Sequence, residues 1–131
     1  MPTTSTPDAT PAAQLSVLIV EDDSIISSAL RMLFERRGWK VYMASTIRQA
    51  KALLDQQPTW AILDLMLPDG DGSELIVEVR RRKLLTRVAI ATGINDPDRI
   101  KTIQNLAPDA FLRKPVSFSH LLRSLGVDPD K

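Results

Sequence analysis

A chain of 131 residues is expected to form one compact domain, without room for a second. Apolar residues at 44% and charged residues at 25% suffice for a single core, and a formal net charge of +1 gives no electrostatic footprint for nucleic acid. The lack of cysteine excludes disulfides and thiolate metal sites and suits a reducing cytoplasm, and no apolar stretch approaches the roughly 20 residues of a membrane span.

The N-terminal stretch, residues 1–14, is rich in Pro, Thr and Ala and has no apolar segment of the signal-peptide kind; it predicts a flexible leader. A first apolar run, Leu15–Val20, is followed by a helical pattern headed by Ser24 as N-cap. That helix carries Ile25, Ile26, Ala29, Leu30, Leu33 and Phe34 on one face and stops at Gly38. The second run, Val41–Ala44, leads through Thr46 into a stripe of Ile47, Ala50, Leu53 and Leu54. The third, Trp60–Asp64, precedes a helix bearing Leu75, Ile76 and Val79. The fourth, Val88–Thr92, leads to Asp96 and Pro97 as N-cap and first residue of a helix with Ile100 and Ile103. The fifth, Ala110–Arg113, precedes a helix capped by Ser117, carrying Phe118, Leu121, Leu122 and Leu125 and stopping near Gly126. Residues 127–131 form a tail expected to be loose, which leaves 15–126 as the domain.

Most of the runs are continuously apolar, as in parallel strands covered on both faces; the second and fifth are short enough to be edges. Five βα units with right-handed crossovers make an α/β, doubly wound (βα)5 sandwich of flavodoxin-like type. The strand order 2-1-3-4-5 follows from that fold class, not from the spacing. Ligands in such sheets bind beyond the carboxyl ends of the strands, at the switch point between strands 1 and 3. There the first run ends in Glu21, Asp22 and Asp23, the third in Asp64, the fourth in Thr92 and the fifth in Lys114 and Pro115. Clustered carboxylates repel and call for a cation; hard oxygen ligands with open positions suit Mg²⁺, with Lys114 as a second positive charge and Thr92 as a hydroxyl donor. The set points to a phosphate-accepting site around a carboxylate nucleophile.

Four stretches, VLIVEDD at 17–23, ILDLMLPDGDG at 62–72, Ala91-Thr92 and FLRKP at 111–115, resemble in order and spacing the signatures of receiver domains of two-component response regulators. The resemblance covers roughly Leu15 to Gly126. It implies that Asp64 is the phosphoacceptor and that Asp22 ligates Mg²⁺ directly, with Glu21 acting mostly through water. The Met66 backbone carbonyl would add a further metal ligand. Thr92 would move onto the phosphoryl group, Lys114 would supply the cation, Phe111 would be the switch aromatic, and the bond before Pro115 would be cis. It further implies a sensor histidine kinase or phosphotransfer protein as donor, and a downstream protein target or a missing output domain, with signalling through the face of helix 4, strand 5 and helix 5. A dimer through that face is compatible with the resemblance. Contact with nucleic acid or membrane is not expected, nor is enzymatic turnover beyond the domain's own phosphorylation and dephosphorylation. Family members often carry Gly where this chain has Ala107; Asn105 is the expected left-handed cap instead.

Blander readings stand beside these. The acids 21–23 also suit a helix N-terminus, and for Asp23 that reading is preferred. Phe111 suits a core aromatic as well as a switch. The run Arg80–Lys83 suits a solvated helix end better than a nucleic-acid patch, His120 an exposed helix position, and Trp39 and Trp60 packing. Two other functions compete: a phosphorylation-independent interaction module, and an aspartyl phosphohydrolase. The second is disfavoured because Met66 stands where a general acid is needed, two residues past the nucleophile.

Overall fold

The computed structural model describes residues 14–130, so the leader expected over residues 1–14 lies, except for Gln14, outside the described residues. Five strands, β1 (Ser16–Val20), β2 (Lys40–Ala44), β3 (Trp60–Leu63), β4 (Arg87–Thr92) and β5 (Ala110–Arg113), form one parallel sheet in the order β2-β1-β3-β4-β5. Five helices connect and follow them: α1 (Ser24–Arg36), α2 (Ile47–Leu53), α3 (Glu74–Arg81), α4 (Pro97–Asn105) and α5 (Phe118–Ser124). The expected order is observed, with β2 and β5 at the edges, although β2 is as long as β1. None of the described helices is long and apolar enough to cross a membrane.

The sheet separates two cores because successive strand residues point to opposite faces. Leu18, Val20, Leu63 and Ile90 meet Ile47, Leu75, Ile76 and Ile103 on the side of α2, α3 and α4. Val17, Ile19, Ile62 and Ala89 meet Phe34, Leu121 and Leu122 on the side of α1 and α5. Trp39 and Trp60 are buried in the second cluster, with Trp39 edge-on to Phe34. Two-sided burial is why the central runs are continuously apolar.

Thr46, Asp96 and Ser117 cap α2, α4 and α5 through side-chain oxygens that accept from Gln49, Asp98 and His120 N–H. The expected cap of α1 is corrected: Asp23, not Ser24, accepts from the N–H groups of Ile25 and Ile26. With the helix entered one residue earlier, its inward line is Ser27, Leu30 and Phe34, while Ile25 and Met32 face outward at 81% and 54% exposure. At the end of α4 the left-handed residue is Ala107 (φ 54°), not Asn105, which lies inside the helix. Leu106 still has right-handed geometry, so the turn falls one position later, where a Cβ is strained.

Of the tail expected to be loose over residues 127–131, residues 127–129 are tied down, and Lys131 lies outside the described residues. Val127 packs on the second core and donates its N–H to Leu122, and the Arg37 guanidinium donates to the carbonyls of Asp128 and Pro129. The run Arg80–Lys83 does end α3. Arg81 and Arg82 pair with Glu78, Arg82 also reaches Asp55, and Arg80 donates to the Ala107 carbonyl.

Relieving the strained αL residue should raise stability. Ala107→Gly is expected to gain about 0.5–1 kcal/mol in urea unfolding, the removed Cβ clash outweighing the added freedom of the unfolded chain. Ala107→Val should lose stability. A destabilised glycine variant would contradict the αL assignment.

Candidate functional site

β1 and β3 are neighbours in register, Val20 opposite Leu63, so the residues that follow them emerge side by side at the carboxyl edge. Backbone bonds fix both exits: Asp64 N–H donates to the Val20 carbonyl and Glu21 N–H to that of Ala44, each at 3.0 Å. Glu21 is 8% exposed, Asp64 half-buried and Asp22 exposed, and their carboxylate oxygens lie within 4.8 Å of one another. At such a separation two carboxylates repel by roughly 3 kcal/mol at an effective dielectric of about 20, before solvent screening.

Lys114 answers part of that charge. Its Nζ donates to Glu21 Oε1 at 3.0 Å and to Asp64 Oδ2 at 3.3 Å. The lysine is carried there by β5, through its N–H on the Thr92 carbonyl at 2.8 Å, and the Lys114–Pro115 bond is cis. Burial raises the Glu21 carboxyl above its ordinary range, outweighing the hydrogen bonds from Lys114 and the Asp23 N–H. Burial alone would lower Lys114, but the bond to Glu21 and the charge of Asp64 prevail and raise it. Lys114 is therefore a fixed cation, and Glu21 an acid whose ionised form is only partly compensated.

The rim completes the geometry. Thr92 is buried, and its Oγ1 accepts from the Ile94 N–H at 3.1 Å, leaving its own hydrogen for another acceptor. Met66 N–H donates to Asp64 Oδ1 at 3.3 Å, while its side chain is 69% exposed. Phe111 is half-buried on the first core. At Gly72 a Cβ would collide with the Asp64 carbonyl oxygen, so the loop closes under the acid only with glycine there. His120 is exposed, away from this cluster.

Sequence reasoning left two acids of the LPDGDG stretch without a role. Asp69 accepts from Ile47 and Arg48 N–H at the start of α2, bonds that hold its carboxyl below the usual range. Asp71 accepts from Ser73 N–H and pairs with Arg99 of α4. Asp69 lies in the turn and Asp71 in the second strand of a two-strand hairpin, Met66–Leu67 with Gly70–Asp71, that the Pro-Asp-Gly turn chemistry signals.

A family model, the response regulator receiver domain, matches residues 17–126. The chain belongs to that family. The KDP operon transcriptional regulatory protein KdpE of Escherichia coli K12 is 35% identical over 115 residues, 86% of this chain and 50% of KdpE. The photosynthetic apparatus regulatory protein RegA of Rhodobacter capsulatus is 28% identical over 111 residues, 84% of this chain and 60% of RegA. The chain thus spans about half the length of the curated relatives it matches. Among solved structures, a CheY-like receiver domain protein from Methanospirillum hungatei JF-1 superposes with a TM-score of 0.79 at 27% identity, covering 87% of this chain and 92% of that one. Receiver domains of response regulators are in general not enzymes, and they bind Mg²⁺ at an acidic pocket. The receiver fold here supplies such a pocket, since three clustered carboxylates with one lysine match a hard, oxygen-seeking cation.

Crowded acids should show in the metal-free protein. Asp22→Asn is expected to raise apo stability by about 0.5–1 kcal/mol through lost repulsion. Asp23→Ala should cost about 1 kcal/mol through the lost cap. Urea unfolding in chelator checks both, and a destabilised Asp22→Asn would contradict the charge reading.

Proposed function

We propose that this receiver domain is a phosphorylation-operated switch, acting in the cytoplasm, that accepts a phosphoryl group on Asp64 with Mg²⁺ and changes its α4–β5–α5 face. The observation that carries the reading is the clustering of the Glu21, Asp22 and Asp64 carboxylates, with Lys114 Nζ bonded to Glu21 at 3.0 Å and to Asp64 at 3.3 Å. Glu21, Asp22, Asp64 and the Met66 carbonyl are the residues that would hold the ion, which supplies Lewis-acid neutralisation of the phosphoryl charge when bound. Asp64 is the nucleophile, half-buried and held in orientation by the Met66 N–H. Lys114, bonded to Glu21 and Asp64, would also neutralise a phosphoryl oxygen on Asp64.

Thr92 has a free hydroxyl hydrogen, and a phosphoryl oxygen within its reach favours an inward shift of the end of β4. Phe111, already half-buried, would turn further into the vacated space, a biased two-state equilibrium. The donor would be a sensor histidine kinase or phosphotransfer protein. The recipient of the signal would be a protein target or an output domain, reached through α4, β5 and α5, with a dimer through that face as one form of output. Nucleic acid is not a direct partner on this reading, in keeping with the pairing of Arg81 and Arg82 to acids. The phosphohydrolase alternative is disfavoured by the exposed thioether of Met66 where a proton donor is needed.

Intact mass after acetyl phosphate and Mg²⁺ should show one phosphoryl adduct, absent in Asp64→Asn and absent without the cation. An adduct that persists in the variant sinks the assignment; a wild type that never acquires one favours the phosphorylation-independent module.

Lifetime follows from the same rim. Hydrolysis needs a water held in line by polar groups, and both Met66 and the half-buried Ile94 are apolar. Decay of the phosphorylated protein is therefore expected to be slow, and Met66→Asn/Ile94→Glu to speed it about tenfold, an order-of-magnitude expectation for one added water-orienting interaction. Equal decay rates by mass or gel shift would remove these positions from control of lifetime.

A further inference from the structure

α4 has a thin apolar anchor. Ile103 is its one fully buried side chain, Ile100 is half-buried, and most of the remaining helix is polar and solvated. Polar ties hold it instead. Arg113 of β5 donates to Asn95 just before the helix at 2.6 Å, and Arg80 of α3 donates to the Ala107 carbonyl just after it at 3.0 Å. In the first turn of the helix, Arg99 pairs with Asp71, both side chains being 32% exposed.

The third tie differs from the others in where it leads. Asp71 stands opposite Met66 across the two-residue hairpin. Met66 in turn donates its N–H to Asp64 Oδ1, and its carbonyl belongs to the proposed ligand set. The second oxygen of Asp71 accepts from Ser73 N–H at 2.8 Å, which holds the carboxylate at the entrance to α3. Three short steps, one ion pair, one hairpin pairing and one hydrogen bond, therefore separate α4 from the reacting carboxylate.

We propose that Arg99 is a positioning residue for the acidic cluster: through Asp71 it aligns the hairpin that orients Asp64 and the Met66 carbonyl, and so links the seating of α4 to cation affinity. The inference rests on the proposed Mg²⁺ site and names a determinant of its geometry that touches neither ion nor phosphoryl group. Coupling of this kind is reciprocal. A partner that displaces α4 and breaks the pair weakens Mg²⁺ binding, and Mg²⁺ binding stiffens α4.

The magnitude is bounded by the exposure of the pair. Partly exposed ion pairs contribute modestly, so loss of Arg99 is expected to weaken Mg²⁺ binding by roughly 2- to 5-fold. The experiment is Mg²⁺ titration of the full chain followed by backbone amide shifts at Glu21, Asp64 and Gly72, for wild type, Arg99→Ala, Asp71→Asn, the double variant and Arg99→Lys. Amide exchange over residues 98–105 is measured with and without Mg²⁺. Expected are similar weakening in both single variants, no further loss in the double, partial recovery with lysine, and Mg²⁺-dependent protection of α4 in wild type alone. Wild-type affinity in Arg99→Ala, with faster exchange in α4, would reduce the pair to a helix anchor and overturn the inference while leaving the Mg²⁺ site standing. Additive losses in the double variant would also overturn it. A wild type that shows no Mg²⁺ shifts at Glu21 and Asp64 would refute the site and the inference together.

Discussion

Three carboxylates crowd together at the carboxyl edge of the sheet with one ammonium bonded to two of them, and most of the site's design follows from that imbalance of charge. Lys114 bonds Glu21 and Asp64 but leaves a net negative cluster, and burial makes the ionised state of Glu21 costly. A protein tolerates such a cluster only where the fold imposes it. Here the fold does so through backbone bonds: Glu21 and Asp64 are the first residues past two adjacent, fully buried strands whose register is set by the core. Moving either acid would require slipping a strand and turning its apolar residues to the wrong face. The apolar core therefore sustains the electrostatic repulsion that a cation would relieve.

The same logic explains the surroundings. Gly72 is required because the loop passes under the Asp64 carbonyl, and Asp69 and Asp71 fasten that loop to α2 and α4 through backbone and side-chain bonds. The loop after β3 is thus a junction among three helices. Asp64 is thus linked through this loop to helices that do not touch it, and α4, with Ile103 as its one buried side chain, has little hydrophobic hold to oppose a shift.

Much of this was legible in the sequence because the relevant signals are local. The central strands read as unbroken apolar runs since both faces are covered, and the acids and lysine stand at run ends, where the chain leaves the sheet. Caps at Thr46, Asp96 and Ser117 were equally visible, each a short polar residue before an apolar period. What escaped was set by competition between neighbours. Asp23 and Ser24 are both good caps, and which one wins depends on where β1 releases the chain; the choice rotates α1 and exposes Ile25. Ala107 takes the left-handed turn because α4 extends through Asn105, a length fixed by the packing of Ile103 and Leu106. The pairing of Asp71 with Arg99 spans 28 positions and has no local signature at all. The docked C-terminal segment likewise depends on Arg37, far away in sequence.

The central claim is that the carboxylates, Thr92 and Lys114 act as one phosphoryl-binding unit that depends on a divalent cation. Beryllofluoride, a stand-in for the phosphoryl group, tests it most directly when titrated with and without Mg²⁺ while the backbone amides of Asp64, Thr92 and Lys114 are followed together by NMR. The account predicts that all three shift in parallel and only with Mg²⁺ present. Shifts at Asp64 alone, or equal binding in chelator, would contradict it.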